Sequence, residues 1–429
     1  MKGLFGAANI CRKDVTCRIV ATKKAVSCLQ CTAFRLPLHW FVPLESTKTQ
    51  TSIKDKRDMT ESTDMEKSRK ATADNKENKR INRRSFLRSS AFLGVSGLAA
   101  SLPGAGLAAM RREVSSGDKF MNFTFKPNGR FKILQLTDTH YIYGDARSER
   151  ALKNVCQMLD AEKPDLVIHT GDVIFGKPAE EGLREILAPI SERKIPFAVA
   201  LGNHDEEFGL SRKEVFDIVK SLPYNINSTV TGLTGQSNDI ITLSAEGSDT
   251  PEWVFYLFDS GRTSKVEGIK GYDWIHFDQI DWYRKHSQAF TAQNGGQPIK
   301  SMAFFHIPVP EFTYALHDSG RRIFKGNWGE EPSPANVNSG LYLSMKEMGD
   351  VKAIVCGHEH DNDYAMLWNG MYLMYGRFSG CDTVYNNLKP NGARVFELTQ
   401  GSEGFQSWVR LYGGEITQNL TFPDSFKTY

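Results

Sequence analysis

The sequence predicts an α/β fold with a parallel sheet, and two observations support this prediction. Three short apolar runs alternate with three segments whose apolar residues recur at helical spacing, between about residues 131 and 222. Each apolar run is followed closely by an acid, an amide or a histidine. Because parallel strands joined by right-handed crossovers end at the same edge of a sheet, we expect these polar side chains to lie together.

The three strand–helix units are predicted from local patterns. Residues 165–168 and 196–201 are short, largely apolar segments, which is typical of buried strands, and residues 131–137 form a predicted strand with mixed apolar and polar positions. Ser211 and Glu214 form a capping-box pattern at the start of the third helix. Each helix has one apolar face, formed by Leu152, Val155, Cys156 and Leu159; by Leu183, Ile186, Leu187 and Ile190; and by Val215, Ile218, Val219 and Leu222.

Beyond residue 238 the pattern changes towards further strands. We predict neighbouring strands at 239–244 and 253–259, a helix around 277–288, and apolar strands at 299–305 and 351–356. The segment 317–338 has no clear periodicity and is long enough to be a functional loop. The tail, at 371–375, 393–398 and 408–411, predicts strands that close a second sheet. We predict a single domain over residues 110–429.

Charge separates this domain from the N-terminal part of the chain. Residues 1–109 contain 20 Lys and Arg against 9 Asp and Glu, whereas residues 110–429 contain 33 against 41. The predicted domain is therefore mildly acidic, which argues against nucleic-acid binding.

Residues 81–109 resemble a twin-arginine signal peptide. Arg83-Arg84-Ser85-Phe86-Leu87-Arg88 precedes a Gly/Ala-rich apolar run, and small residues follow up to Ala109. The resemblance implies the twin-arginine export machinery as a partner and a location in the periplasm or cell envelope of a bacterium. The apolar run is short and glycine-rich, so we expect no stable membrane span after cleavage.

Residues 1–80 are predicted to be a disordered or wrongly assigned leader. Translation could start at Met1, Met59 or Met65. An organelle transit peptide over residues 1–50, ahead of a lumenal signal, is the alternative.

The polar residues that follow five predicted strands form a ligand set suited to metals. Carboxylate, imidazole and amide oxygen together favour Mn, Fe or Zn over Ca or Mg. Their number exceeds what one metal needs and fits two divalent ions that share a bridging carboxylate. The residues are Asp138, His140, Asp172, Asn203, His204, His306, His358 and His360.

The order of these motifs resembles the calcineurin-like metallophosphoesterase superfamily. Asp-x-His at 138–140, Gly-Asp at 171–172, Gly-Asn-His-Asp at 202–205, a lone His306 and Gly-His-x-His at 357–360 occur in that order. The sequences around the first and last motifs resemble a purple acid phosphatase-like branch. The resemblance implies a two-sheet β-sandwich flanked by helices, that is, four αββα layers.

The resemblance also implies roles for individual residues. One metal would be held by Asp138, His140, Asp172 and His360, and the other by Asp172, Asn203, His306 and His358. His204 would be the general acid and Asp205 would orient it. Phe175 occupies the position where purple acid phosphatases carry a tyrosine that ligates ferric iron, so a divalent pair is expected instead.

The implied function is hydrolysis of phosphate esters, with small phosphomonoesters as the expected substrates. A hydroxide that bridges the two metals would attack phosphorus, and His204 would protonate the leaving oxygen. A phosphodiesterase or nucleotide pyrophosphatase with the same centre is one alternative, and we expect the 317–338 loop to shape the pocket that distinguishes them. A non-catalytic, metal-stabilised envelope binding module is the other alternative.

Overall fold

The computed structural model describes residues 120–427. The leader and the twin-arginine signal lie outside these residues, so both stay predictions. Among the residues described, no helix is long and apolar enough to cross a membrane.

The strands and helices agree with most of the predicted elements. The strands are β1 Met121–Thr124, β2 Arg130–Leu136, β3 Leu166–His169, β4 Phe197–Val199, β5 Asp239–Ser244, β6 Pro251–Leu257, β7 Lys300–Phe304, β8 Ile323–Lys325, β9 Val351–Cys356, β10 Ala365–Trp368, β11 Met371–Tyr375, β12 Gly392–Thr399, β13 Phe405–Leu411 and β14 Ile416–Phe422. The helices are α1 Glu149–Glu162, α2 Ala179–Glu192, α3 Arg212–Ser221, α4 Phe277–Gln293, α5 Glu311–His317 and α6 Leu341–Met348.

The strands form two sheets. One has the order β14-β13-β12-β2-β3-β4 and the other β1-β5-β6-β7-β9-β11-β10-β8. The predicted parallel pairing of β2, β3 and β4 and the neighbouring strands β5 and β6 are both confirmed, with β5 and β6 antiparallel. The tail differs from the prediction, because β12 pairs with β2 and so joins the first sheet, whereas β11 pairs with β9 in the second.

Alternating side chains on each strand bury two different faces. In β2, Ile133 packs into the core between the sheets, whereas its neighbour Leu134 packs against the helices on the outer face. Helices α1, α2 and α3 cover that outer face, and α4, α5 and α6 cover the outer face of the second sheet. Burying one aliphatic side chain fully stabilises the folded state by about 1.5–3 kcal/mol. The predicted four-layer αββα architecture is confirmed.

A buried ion pair ties α1 to the first sheet. Glu162 is 4% exposed and accepts hydrogen bonds from Trp408 Nε1 (3.1 Å) and Arg410 Nε (2.6 Å). Burial alone would raise the pKa of Glu162, but these hydrogen bonds hold it below its usual range. The last turn of α1 is therefore anchored to β13 by a carboxylate that is charged at neutral pH.

Candidate metal centre

The predicted ligands come directly after five strands. Three of these strands belong to the first sheet and two to the second, and their carboxyl ends lie close together. Asp138 and His140 follow β2, Asp172 follows β3, and Asn203 follows β4 in the first sheet. His306 follows β7, and His358 and His360 follow β9 in the second sheet. The structure therefore brings all seven predicted metal ligands to one place.

The first group consists of Asp138, His140 and His360. Asp138 Oδ1 lies 3.8 Å from His140 Nε2 and 3.7 Å from His360 Nε2, and the two imidazole nitrogens are 3.0 Å apart. All three residues are buried and could hold one metal ion. Atoms at these separations can each lie about 2.0–2.2 Å from one central ion.

The second group consists of Asp172, His306 and His358, with Asn203 beside them. His306 Nε2 lies 3.1 Å from Asp172 Oδ2, 3.1 Å from Asn203 Oδ1 and 3.3 Å from His358 Nδ1. The amide oxygen therefore points to the same centre as the carboxylate and the imidazoles.

Asp172 lies between the two groups. Its Oδ2 is 3.6 Å from His140 Nε2 in the first group and 3.1 Å from His306 Nε2 in the second. Its Oδ1 accepts the backbone N–H of His204 at 2.8 Å. One carboxylate oxygen is thus directed at both groups, which is the arrangement a bridging ligand requires.

Four of the ligands have strained backbones. The φ angles of Asp138, His140, Asp172 and His358 are 53°, 42°, 54° and 81°. Non-glycine residues rarely adopt this left-handed region, and such strain clusters at functional sites. The strain turns these side chains inward immediately after their strands end.

Glycines let the motifs approach one another. A Cβ on Gly202 would lie 2.1 Å from Asp172 Oδ1, and a Cβ on Gly357 would lie 2.7 Å from Asp138 Oδ2. The glycine of each of these motifs is therefore packed directly against a ligand of another motif. A larger residue at either position would push a carboxylate out of place.

Hydrogen bonds select the imidazole nitrogens that face the centre. His306 Nδ1 lies 2.7 Å from the carbonyl oxygen of Thr170, and His360 Nδ1 lies 2.8 Å from that of Tyr385. Because a carbonyl only accepts, both Nδ1 atoms carry a proton, and Nε2 is the nitrogen through which each ring would bind a metal.

The electrostatics of the centre also suit cations. Burial holds the pKa of His140 well below its usual range, so its ring stays neutral and able to ligate. Burial likewise opposes charge on His306, but Asp172 and Asp138 raise its pKa to about 10. Buried carboxylates thus draw positive charge to this place, and the donor set fits two divalent ions.

His204 lies at the edge of the centre, where its side chain is 31% exposed. Its ring packs edge-on against His140 and Phe175, with centroid distances of 5.5 and 5.0 Å. His204 Nδ1 lies 2.7 Å from Glu207 Oε2, so Nδ1 carries the proton and Nε2 is turned away from the carboxylate. The opposite carboxylate oxygen of Glu207 accepts from Arg262 at 2.8 Å.

The expectation that Asp205 orients His204 is wrong. The Asp205 carboxylate accepts the backbone N–H groups of Gly202 and Val173, both at 2.7 Å, and of Asp172 at 3.2 Å. Asp205 thus joins the two loops that follow β3 and β4, and Glu207 is the carboxylate that contacts His204.

Sequence reasoning missed three contacts around the centre. Glu207 contacts His204, Tyr272 packs edge-on against His358 at 4.5 Å, and Tyr385 stacks on His360 at 4.4 Å. The spacing of Glu207 three residues after His204 was a usable signal, because residues so spaced within a turn can meet. Tyr272 belongs to a sequence cluster with Trp274 and Trp282 that favours a core position over a substrate-binding one, and no local pattern marked Tyr385.

The profile of the family described as calcineurin-like phosphoesterase matches residues 131–362. The chain belongs to the calcineurin-like phosphoesterase family. A relative from Arabidopsis thaliana named "Probable inactive purple acid phosphatase 29" is 33% identical over 68% of this chain and 79% of its own length. "Phosphatase DCR2" from Saccharomyces cerevisiae is 30% identical over 70% of this chain and 57% of its own length. The homologues of this calcineurin-like phosphoesterase are thus purple acid phosphatase-like, as predicted.

Solved structures resemble this phosphoesterase at low sequence identity. A dimetal phosphatase from Danio rerio is 13% identical, with a TM-score of 0.48 over 68% of this chain and 98% of its own. Membership of the family supports hydrolase activity, while the name of the Arabidopsis relative shows that some relatives are regarded as inactive.

Proposed function

We propose that this phosphoesterase hydrolyses small phosphomonoesters with two divalent ions, Mn, Fe or Zn, held by the seven predicted ligands. The observation that carries the proposal is the convergence of two ligand groups on the shared Asp172 Oδ2, with His204 beside them. Two bound ions would supply Lewis-acid activation of water and of the phosphoryl oxygens. The naming of the yeast relative as a phosphatase supports the choice of reaction.

The chain's own residues would orient the reaction. Asp172 directs one carboxylate oxygen towards both ligand groups, so it would help to hold both ions. With both ring nitrogens protonated, His204 would donate its Nδ1 proton in a hydrogen bond to Glu207 and give its Nε2 proton to a leaving alcohol. Phe175 packs against both His140 and His204, which keeps that side of the centre apolar.

The test is a comparison of substrates in the His204→Ala variant. A general acid matters most for poor leaving groups, so turnover of an alkyl phosphate should fall by about 10²–10⁴-fold, whereas a nitrophenyl phosphate should be affected far less. Equal losses on both substrates would contradict the proton-donor role of His204.

The alternatives predict different outcomes in the same assay. A phosphodiesterase or pyrophosphatase would prefer diester or diphosphate substrates over monoesters when Mn²⁺ or Zn²⁺ is added. A metal-stabilised binding module would retain two metals in elemental analysis and hydrolyse neither class. The retention of all seven ligands and of His204 favours an active enzyme, because a purely structural metal site has no need of an exposed histidine oriented by a carboxylate.

We also propose export by the twin-arginine route to the periplasm or cell envelope of a bacterium. This route moves folded proteins, which would let the metals bind before export. Replacing Arg83 and Arg84 with lysine should retain the full-length chain in the cytoplasm. Unchanged export of that variant would contradict this route.

A further inference from the structure

A loop far from the ligands in sequence packs on the turn that carries His358 and His360. We define the brace loop as residues 327–333, which lie within the 317–338 segment. Gly329 N donates to the Asp361 carbonyl oxygen (3.0 Å), and Ser333 N donates to Glu359 Oε1 (2.6 Å). The Asn362 side chain accepts from Gly329 N at 3.0 Å and donates to the Glu330 carbonyl oxygen at 2.9 Å. The brace loop therefore holds the residues on both sides of His360.

Tyr385 contacts His360 in two ways. Its carbonyl oxygen accepts the His360 Nδ1 proton at 2.8 Å, and its ring stacks on the imidazole at 4.4 Å with an interplanar angle of 28°. Together the two contacts restrain both the tautomer and the plane of the His360 ring. Yet Tyr385 is 55% exposed, so packing alone does not hold it in place.

Glu330 of the brace loop connects these two features. Its Oε1 accepts the backbone N–H of Asp361 at 2.8 Å, and its Oε2 accepts the Tyr385 hydroxyl at 2.8 Å. One carboxylate thus ties the residue after His360 to the aromatic ring that covers His360. This closes a cycle of contacts that contains His360, Asp361, Glu330 and Tyr385.

We propose that Glu330 and Tyr385 are positioning residues that set the affinity of the first metal position through His360. The proposal rests on the metal centre of the proposed function and deepens it. It also assigns a role to the 317–338 segment, whose residues 327–333 brace a ligand.

The effect should be confined to one of the two metal positions. His360 belongs to the first ligand group, with Asp138 and His140. In the second group, His306 is fixed separately by the Thr170 carbonyl oxygen. Loss of a hydrogen-bond partner of a ligating histidine typically weakens metal binding by about 10–100-fold.

The test uses the full-length chain, stripped of metal and titrated with Mn²⁺ alone by equilibrium dialysis. Glu330→Ala leaves the direct partner of His360, the Tyr385 carbonyl oxygen, in place, so it should weaken one of two Mn²⁺ sites by up to about tenfold, the lower end of the range for losing a direct partner. Tyr385→Phe keeps the ring and the carbonyl but loses the hydroxyl, so a smaller loss at the same site is expected. Because both changes break the same hydrogen bond, the double variant should lose less than the sum of the two single losses.

Glu331→Ala is the matched control. Glu331 is the next residue, more than half exposed, and its carboxylate contacts His317 instead of the metal centre. This control should bind both Mn²⁺ ions as the unmodified chain does. In a His140→Ala background, where the first position is already damaged, Glu330→Ala should leave the remaining site unchanged.

Two results would overturn the proposal. Either Glu330→Ala and Tyr385→Phe bind Mn²⁺ like the Glu331→Ala control, or they weaken both sites equally while lowering the Tm of the metal-free chain. The latter result would indicate a general structural role. Since Mn²⁺ binding is measured without substrate, a chain that binds two ions but hydrolyses nothing would refute the proposed function alone.

Discussion

Replacing Gly202 with alanine should damage the bridging ligand directly. The new Cβ would lie 2.1 Å from Asp172 Oδ1 and 2.3 Å from the backbone nitrogen of Asp172. Real Cβ atoms essentially never come within 3.0 Å of such neighbours. The loops after β3 and β4 must therefore separate by about 1 Å to accept the methyl group.

The expected losses of stability and of catalytic rate both follow from that displacement. Overpacking of a tightly packed position costs about 1–3 kcal/mol of unfolding free energy. Movement of a catalytic group by about 1 Å costs about 10²-fold in rate, which corresponds to ~2.7 kcal/mol in the activation barrier. We therefore expect a Gly202→Ala variant that still folds, binds metal more weakly and turns over nitrophenyl phosphate about 10²-fold more slowly.

Gly320→Ala is the control for this experiment. Gly320 is exposed and a Cβ there would have no heavy atom within 4 Å, so this variant should match the unmodified chain. Turnover, Mn²⁺ content and Tm would be measured on both variants in parallel. If Gly202→Ala matched Gly320→Ala in turnover and metal content, the inferred contact between Gly202 and Asp172 would be refuted.

Three further changes test other parts of the structure. Glu207→Gln should slow alkyl phosphate hydrolysis about tenfold and add nothing in a His204→Ala background, because it acts only through that ring; additive losses would contradict this. Burial alone would raise the pKa of Glu162, but hydrogen bonds from the Trp408 indole and from Arg410 lower it by more, so the net pKa lies below its usual value. The stability that the charged carboxylate adds to the fold is therefore present above about pH 4.3 and is lost as the pH falls through the lowered pKa. Glu162→Gln should therefore reduce the unfolding free energy by about 1–3 kcal/mol at pH 7 and by less at pH 3, as measured by urea denaturation; an equal loss at both pH values would contradict the assignment. Phe175→Tyr should give the protein loaded with ferric iron a visible absorption band that the unmodified protein lacks under the same loading; an unchanged spectrum would show that the new phenol does not reach the metal.

The elements predicted well from the sequence are those with a strong local pattern. Residues 239–244, 351–356 and 371–375 form strands with the predicted bounds, because the last two are largely apolar runs and the first is rich in β-branched residues. The capping box at Ser211 and Glu214 is present as predicted. The missed elements include β8, which has only three residues, and β14, most of which is not buried. Short or partly exposed strands form because a neighbouring strand pairs with them, and that neighbour is distant in sequence.

The seven candidate metal ligands could also be predicted from local sequence patterns. Each of the seven follows an apolar run, and the buried run determines where its polar ending must emerge. The partner of His204 was predicted wrongly because two acids, Asp205 and Glu207, both lie within reach along the chain. Their roles depend on whether backbone N–H groups of the neighbouring loop surround the carboxylate. Those groups surround Asp205 and not Glu207.

The sequence by itself determined the order of strands and helices over residues 131–222, the identity of the candidate metal ligands and the family. These properties depend on periodicity and on motifs of a few adjacent residues. The tertiary structure alone decided that β12 joins the first sheet, that Glu207 holds His204, and that Glu330 and Tyr385 brace His360. Such contacts join residues up to hundreds of positions apart, or choose between adjacent acids, and local patterns along the chain do not record them. Only the packing of the two sheets brings these residues into contact.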